Sequence, residues 1–582
     1  MVEHETKPGA SPSPAPAAAP PPRPAETPSP RRRPLGLTWG QAALLVALAG
    51  AFAFMSWVRV WHTDVWGHLR FGEYMVQNHR LPGREMFSGD YAEDAEYINY
   101  QWVTQAGGYL LYDLGRHFAP AIARATGQSA EDAELAGGAF MLSLGLAVIV
   151  TLRLLVLGAA FRRLTGSDGF ALLGVVTVFV VGSLNHVQIL RPQSLGELGF
   201  ALVLLALSRP LLSRRALAWL PAVMVVWTNC HGSVLMGFVL MGAFLAGRAL
   251  EVAWAGRGVR GDGESATAFA LRALRSGLAA CFRDPQFRRL GLLLAVSVAA
   301  ALALNPHGPR LFLESWKLSK HPNIAFMEEW KAVPVKSLSG YIMLGSALVL
   351  AALVRWSPRR FTPTQVILLL GFGLQALAHA RVIVWWVMVF TWVALPHLQA
   401  VWQRYLAPRQ PRSDRPALVK LALGAVAAAL VLALSAPAQW ALGGKAPVAE
   451  ARVTPVTPIK AVRYLRGQYA ADPSLKRVVF TSETLGDFLL WELRTDPPVR
   501  VFCYTHVHLL TPEHWQKCMS IKRGDHRWRQ VVDEEGIQFL VVERDLYEPL
   551  VEQVLADRAG WEVVSPGPVF VAKRRPSASR QP

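Results

Sequence analysis

Charge is scarce in this 582-residue sequence: Asp, Glu, Lys and Arg make up only 17% of it, against about 25% in an average soluble domain. That shortfall excludes a large soluble enzyme. Cysteine is scarcer still. The four thiols, Cys230, Cys281, Cys503 and Cys518, include no Cys-x-x-Cys pair and are too few for a disulfide framework, so redox chemistry and a structural zinc cluster have little support. Only Cys503 and Cys518 are candidates for pairing, and they would need an oxidising compartment. No GxGxxG or Walker loop occurs, nor any helix-turn-helix, zinc-finger or aromatic-basic RNA-binding pattern.

What is abundant is apolar surface. Hydrophobic residues make up 52% of the chain, the mean hydropathy is +0.26, and the apolar residues gather in blocks long enough to cross a bilayer. The net charge of +19 is carried between those blocks. That is the pattern of cytoplasmic loops beside anionic lipid, and it points away from a nucleic-acid partner.

Residues 1–36 hold eleven prolines among Ala and Ser, a composition expected to stay disordered as a cytoplasmic tail. Arg31, Arg32 and Arg33 precede an apolar run at 41–60. The run continues past the signal-peptide-like Ala51-Phe52-Ala53 to about 20 residues, so an uncleaved first span is expected. Further blocks lie near 133–160, 169–184, 194–208, 216–228, 233–250, 289–304, 340–354, 364–378, 383–400 and 417–438. The expected fold class is therefore a polytopic α-helical membrane protein of about eleven transmembrane helices, occupying 37–440. With the N-terminus cytoplasmic, every basic loop falls inside: Arg162 with Arg163, Arg209 with Arg214 and Arg215, the 257–289 stretch, Arg355 with Arg359 and Arg360, and 404–420. The first loop outside, 61–130, is long, and odd parity places the C-terminal segment outside as well.

That segment, 441–576, changes character and reads as a soluble α/β domain, followed by a disordered tail at 577–582. Its β-rich runs are Arg477-Val478-Val479-Phe480, Val499-Arg500-Val501-Phe502 and Phe539-Leu540-Val541-Val542. Thr484-Leu485-Gly486-Asp487 turns into a helix and has the form of an anion-binding start, though a plain helix start is the simpler reading. His506-Val507-His508 would put two imidazoles on one face of a strand near Cys503 and His514.

The informative polar residues fall at the outer ends of the spans. They are His62 to Arg70 after the first span, including Asp64, Trp66, His68 and Arg70; then Asn99, Tyr100, Gln101 and Trp102; Asn185 and His186 with Arg191; Asn229 and His231; Asn305, His307 and Arg310; Glu328, Glu329 and Trp330; and His379 with Arg381. Charge half-buried at a membrane costs several kcal/mol per group unless it is paired or faces a wet cavity. Three arginines (Arg191, Arg310, Arg381) with a few histidines suit a phosphate or diphosphate, and Asp64 with Glu328 or Glu329 supplies carboxylates. Plainer readings stand beside this one. Asp64 with Thr63 would cap an amphipathic helix over 65–77 whose Leu69, Met75 and Val76 lie along the membrane surface. Trp61, Trp66, Trp102, Trp227 and Trp330 are interfacial belt residues. The histidines make structural hydrogen bonds, since none shows a metal-binding spacing.

With these residues in view, the chain resembles the bacterial members of the GT-C glycosyltransferases, polytopic enzymes similar to protein mannosyltransferases that use dolichyl-phosphate mannose and to aminoarabinose transferases. The resemblance rests on Asp64-x-Trp66-x-His68-Leu69-Arg70 directly after the first span, on Gly72-Glu73, on Phe87-Ser88 and Gln101-Trp102, and on the C-terminal domain. The Arg-Pro-Gln, Asn-x-His-Gly, Asn-Pro-His-Gly and Glu-Trp landmarks resemble an uncharacterised subgroup. The family typically carries an acidic pair in this loop, where this chain has Val65 beside Asp64. The cofactor is therefore unknown: a divalent metal is left open with no motif for it.

The resemblance implies a transferase of the bacterial inner membrane that passes a sugar from a polyprenyl-phosphate carrier to a glycan, lipid or protein acceptor outside. Asp64 is the candidate base for a direct, inverting displacement, and Glu329 is the second carboxylate. Arg191, Arg310, Arg381 or His231 would hold the leaving phosphate, Gln101 and Asn229 the sugar hydroxyls, and His68, Arg70 and His307 complete the candidate binding set. Two other classes remain: a lipid or polysaccharide transporter, against which stands the lack of an internal repeat, and a non-catalytic scaffold for envelope assembly.

Overall fold

The structure is a computed structural model that describes residues 35–61, 64–84, 97–185, 190–260, 262, 264–407, 414–494 and 498–575. Residues 1–34 of the N-terminal tail, His62, Thr63, Phe87, Ser88, His186, the 577–582 tail and the side chains of Asn185 and Glu328 lie outside the described residues.

Among the described residues, sixteen α-helices precede the C-terminal region. They are α1 (Trp39–Met55), α2 (Asp64–Asn78), α3 (Trp102–Arg116), α4 (Ala119–Thr126), α5 (Ala130–Thr165), α6 (Asp168–Asn185), α7 (Gln193–Leu207), α8 (Ala216–Cys230), α9 (Val234–Gly256), α10 (Ala266–Arg283), α11 (Pro285–Ala303), α12 (Arg310–Ser319), α13 (Leu338–Trp356), α14 (Pro363–Ala378), α15 (Ile383–Tyr405) and α16 (Leu418–Ala433). Their limits follow from local chemistry. Thr38 and Gln41 form a capping box on α1, and Thr362 and Gln365 form another on α14. Ser129 caps the 36-residue α5, which ends at Gly166 in the left-handed conformation.

The sequence expectation of about eleven spans needs correction. Among the described residues, five helices are long and apolar enough to cross a membrane: Ala130–Thr165, Val234–Gly256, Pro285–Ala303, Leu338–Trp356 and Ala380–Tyr405, the last including the short turn before α15. The other six apolar blocks are helices of 10–17 residues. These lie near or below the lower end of the roughly 17–25 residues that a spanning helix uses, so length alone does not mark them as spans. The apolar run at 41–60 is an example, since its helix stops at Met55, turns at Ser56 and Trp57, and reaches an isolated bridge from Val60 to Val453.

A second correction concerns buried charge. Arg153 in the middle of α5 pairs with Glu197 of α7, both almost fully buried, and Gln193 Nε2 donates to Glu197 Oε1 at 3.3 Å. Both residues sit inside blocks that hydropathy reads as plain spans. Such a pair is tolerable in an apolar bundle only because each charge neutralises the other, and it ties α5 to α7.

The apolar face of α2 is covered by protein, so it is not available to lie along a membrane surface. Leu69 and Met75 of α2 are 1% and 7% exposed, because α2 is sandwiched between α3 and a helix of the C-terminal region. Trp66 meets Tyr112 and, edge-on at 5.0 Å, Phe488. Trp227 stacks on Trp385. Both indoles are buried core rather than belt residues, whereas Trp61 is exposed.

The C-terminal region continues with α17 (Ala436–Ala441), α18 (Ala449–Arg452), α19 (Ile459–Ala471), α20 (Glu483–Glu492), α21 (Pro512–Arg523), α22 (Trp528–Glu535) and α23 (Glu548–Ala556). With them, the described residues form a five-stranded sheet of β1 (Val478–Thr481), β2 (Arg500–Val501), β3 (Phe539–Glu543), β4 (Trp561–Ser565) and β5 (Val569–Arg574). Its order is β2-β1-β3-β5-β4, parallel across the first three strands and antiparallel at β5 and β4. β1 to β3 are the three runs legible in the sequence. One hydrophobic core joins α2, α3 and the start of α5 to α19, α20 and the sheet. Arg452 extends the join by donating to the Ser56 carbonyl at 3.0 Å and stacking over Trp57 and Phe140.

Close helix approach requires glycine at several positions, Gly72 and the facing Gly115 and Gly137 among them. A Cβ on Gly72 of α2 would lie 2.1 Å from the backbone oxygen of Gln105 in α3, whereas a Cβ on Gly107 would meet nothing within 4 Å. Gly72→Ala is therefore expected to cost at least about 1–3 kcal/mol through overpacking. Gly107→Ala should be neutral or stabilising by up to about 1 kcal/mol. Thermal unfolding of the two variants in detergent checks this, and equal melting temperatures would refute the packing.

Candidate functional site

Four charged side chains from separate parts of the chain converge beside the first turn of α2. Asp64 is its first residue. Arg191 lies two residues ahead of α7, Glu329 lies in the single 3-10 turn Glu328–Trp330, and Arg381 lies in the turn Ala380–Val382 that leads into α15. Arg191 NH1 donates to Glu329 Oε2 at 2.7 Å, and its Nε is 3.7 Å from Asp64 Oδ2. Arg381 NH1 reaches the other oxygen of Glu329 at 3.6 Å, while its guanidinium stacks 4.4 Å over Trp330. The two 3-10 turns are held together because His379 Nδ1 bonds the Trp330 carbonyl at 2.9 Å and Ala380 N donates to Lys331 O.

The cluster's electrostatics follow from this geometry. Burial would raise the Glu329 carboxyl, but Arg191 and Arg381 outweigh it and hold the group below the usual carboxylate range. For Arg191 burial opposes the charge, while Asp64 and Glu329 reverse the balance and raise the guanidinium above its ordinary value. His231, at the C-cap of α8, is pushed down to about 3 by burial and by Arg381, His68 and Arg191. Its Nδ1 accepts from Ser233 N at 3.0 Å, so the neutral ring carries its proton on Nε2. His231 is thus a neutral donor near the cluster, not the cation expected from sequence.

A ring of amides supports the site. Asn99 Nδ2 donates to Gln105 Oε1 at 2.7 Å, and Gln105 Nε2 reaches both His68 Nδ1 at 3.1 Å and the Tyr97 hydroxyl at 3.2 Å. Trp102 Nε1 donates to Asn229 Oδ1 at 2.8 Å, and Asn305 Nδ2 reaches the same oxygen at 3.3 Å. Asn229 Nδ2 is spent on the carbonyls of Val225 and Leu304. Asn229 is therefore a joint between loops rather than a sugar ligand. His307 likewise bonds the Asn99 carbonyl at 3.1 Å. Gln101 differs: its Oε1 is buried and accepts no hydrogen bond, which leaves an acceptor for a ligand hydroxyl.

Two candidates are not brought to the cluster. Arg70 pairs with Glu73, which also takes Arg494 at 2.5 Å, so it ties α2 to the C-terminal domain. Arg310 is exposed at the start of α12.

The C-terminal domain meets α2 from the other side. Thr484 to Asp487 lie within α20 rather than in an anion-binding turn, and the Thr484 hydroxyl donates to Glu543. Asp487 is fully buried. Its Oδ1 accepts from Thr505 N at 3.1 Å, its Oδ2 lies 3.8 Å from His506 Nδ1, and a Cβ on Gly67 would sit 2.6 Å from that oxygen. His506 packs edge-on against His68 at 5.3 Å. The His506-Val507-His508 segment enters a 3-10 turn rather than a strand. Cys503 and Cys518 are both free and buried. Among the described residues no three His, Cys, Asp or Glu side chains are placed to hold a metal ion.

No known family model matches the chain, and no curated protein matches it either.

Burial raises the Asp487 carboxyl to about 8, with Thr505 opposing and Asp64 adding to the shift. Folding therefore takes up a proton between the ordinary aspartate range and about pH 8. Stability is full at low pH and falls by up to about 1.4 kcal/mol per pH unit across that window, until the ionised group is buried at full cost. Wild type should melt at a lower temperature at pH 9 than at pH 5, and Asp487→Asn should show a much smaller drop. Parallel pH profiles would contradict this assignment.

Proposed function

We propose that the protein is a membrane glycosyltransferase that moves a sugar from a polyprenyl-phosphate donor to an acceptor on the extracytoplasmic side of the bacterial inner membrane. In this reading the five long and six shorter apolar helices together cross the membrane in a GT-C-like arrangement, with the N-terminus cytoplasmic and the sheet domain outside. The observation that carries it is the pair of guanidiniums, Arg191 and Arg381, closed on one carboxylate, Glu329, with Asp64 3.7 Å from Arg191. Two arginines gripping two oxygens of one anion make a site that a phosphate can enter by displacing the carboxylate.

The chemistry then runs as a single displacement. An acceptor hydroxyl oxygen bonds to the anomeric carbon as the bond from that carbon to the phosphate oxygen breaks, and the polyprenyl phosphate leaves with the electron pair. Arg191 and Arg381 hold the developing charge, and the neutral His231 offers a further donor. Asp64 takes the acceptor's proton. Once the phosphate draws Arg191 toward itself, the Asp64 carboxylate is left to face the acceptor hydroxyl. The anomeric centre inverts.

A non-catalytic scaffold is the second reading, favoured by the same closed cluster, because an arginine already satisfied by two carboxylates also serves as a latch between loops. The readings part on turnover. Purified wild type in nanodiscs with a panel of radiolabelled polyprenyl-phosphate sugars should release the sugar by hydrolysis or transfer, and Asp64→Asn should lower the rate by about 10²–10⁴-fold while retaining lipid binding. Wild type that binds the lipids without turnover across the panel would favour the scaffold.

A further inference from the structure

The long basic connection between α9 and α11 contains α10, an 18-residue helix that is too charged to span a membrane and has no acidic residue. Residues 257–289 carry seven Arg against three Asp or Glu, a net of 7 − 3 = +4. One face of α10 is already used. Gly277 lies so close to α9 that an added Cβ would be 3.0 Å from Ala253 Cβ, and Cys281 Sγ donates to the Ala249 carbonyl at 3.5 Å.

The large apolar side chains are elsewhere. Leu271, Leu274, Leu278 and Phe282 are 52–68% exposed, and their spacing of three, four and four places them on one stripe of the helix. Arg275 and Arg283 flank the stripe on the side away from α9, and Arg272 on the same side is paired with Glu264. Trp254 near the end of α9 is also exposed, with the Arg257 guanidinium 3.3 Å over its ring. Both neighbours, α9 and α11, have the length and apolarity of spans. Arg248 pairs with Glu251 and Asp284 where the two meet α10, which marks the end of the apolar segments.

We propose that α10 lies obliquely against the cytoplasmic leaflet, with its leucine stripe among the acyl chains and its flanking arginines on anionic phospholipid headgroups. The inference rests on reading α9 and α11 as spans but not on the transferase chemistry. An apolar stripe bordered by cations on a helix without carboxylates matches a negatively charged lipid surface. It fits a second copy of itself poorly, because the two rows of arginines would repel.

The test uses the full chain in nanodiscs of phosphatidylcholine with or without phosphatidylglycerol, the four native thiols being buried. A fluorophore is placed on Leu274→Cys or Phe282→Cys in the stripe, and on Ala279→Cys in the arginine arc. The stripe labels should be quenched by acyl-chain nitroxides at least about threefold more than the Ala279→Cys label. The double substitution Arg275→Glu with Arg283→Glu should weaken that quenching in phosphatidylglycerol discs specifically. Equal quenching at the three sites by an aqueous quencher would overturn the proposal. A Leu274→Glu variant that converts a detergent-solubilised dimer to monomer would also overturn it, in favour of a second copy of the chain.

Discussion

Arg191 is the point on which the site depends. Its guanidinium sits between Asp64 and Glu329, which are 265 positions apart in the sequence (329 − 64), and each of these charges is tolerable in its half-buried place only because the others are there. The start of α2, the approach to α7 and the turn ahead of Lys331 are thus required to converge. Arg381 then closes the second oxygen of Glu329 and is steadied by the Trp330 ring. The arrangement is electrically nearly balanced. An incoming anion therefore meets competition rather than an empty positive well, and binding would be coupled to releasing Glu329.

The second constraint is the sharing of a core between the helical part and the sheet domain. α2 is held by α3 on one side, through the glycine contact at Gly72, and by α20 on the other, through Trp66 against Phe488 and Gly67 against Asp487. Arg463 and Arg466 of α19 pair with Asp132 and Glu131 at the start of α5. The domain is consequently part of the wall that positions Asp64, not a tethered appendage. A disturbance at Asp487 or His506 reaches the charged cluster through a single helix turn.

Much of this was legible in the sequence because buried or half-buried charge near an apolar block is rarely accidental. Asp64, Arg191, Glu329 and Arg381 do meet, and His231 lies with them. Which polar groups are spent on the fold was not legible. Asn229 and His307 have the residue types of ligands, yet their bonds go to Val225, Leu304 and Asn99, and nothing local in the sequence encodes the distant Leu304 and Asn99. Arg70 is spent on Glu73, an i,i+3 partner on its own helix. The Arg153–Glu197 pair was hidden because hydropathy averages one charge away within a long apolar run. Hydropathy likewise cannot see where a helix stops inside an apolar run, which is why eleven blocks became five helices of spanning length and six shorter ones. In the sheet, β4 and β5 lacked a compact apolar signal: β4 is a half-exposed edge strand, and β5 ends in Lys573 and Arg574.

The central claim is that Glu329 occupies the place an anionic ligand would take on Arg191 and Arg381. The most direct measurement is the affinity of a polyprenyl phosphate without sugar for nanodisc-embedded wild type and Glu329→Gln, with Arg381→Ala as the opposing variant. If the claim is right, removing the competing charge tightens binding by about tenfold, worth about 1.4 kcal/mol, and Arg381→Ala weakens it. Binding to Glu329→Gln that is no tighter than to wild type would contradict the account and leave the cluster as a latch between loops.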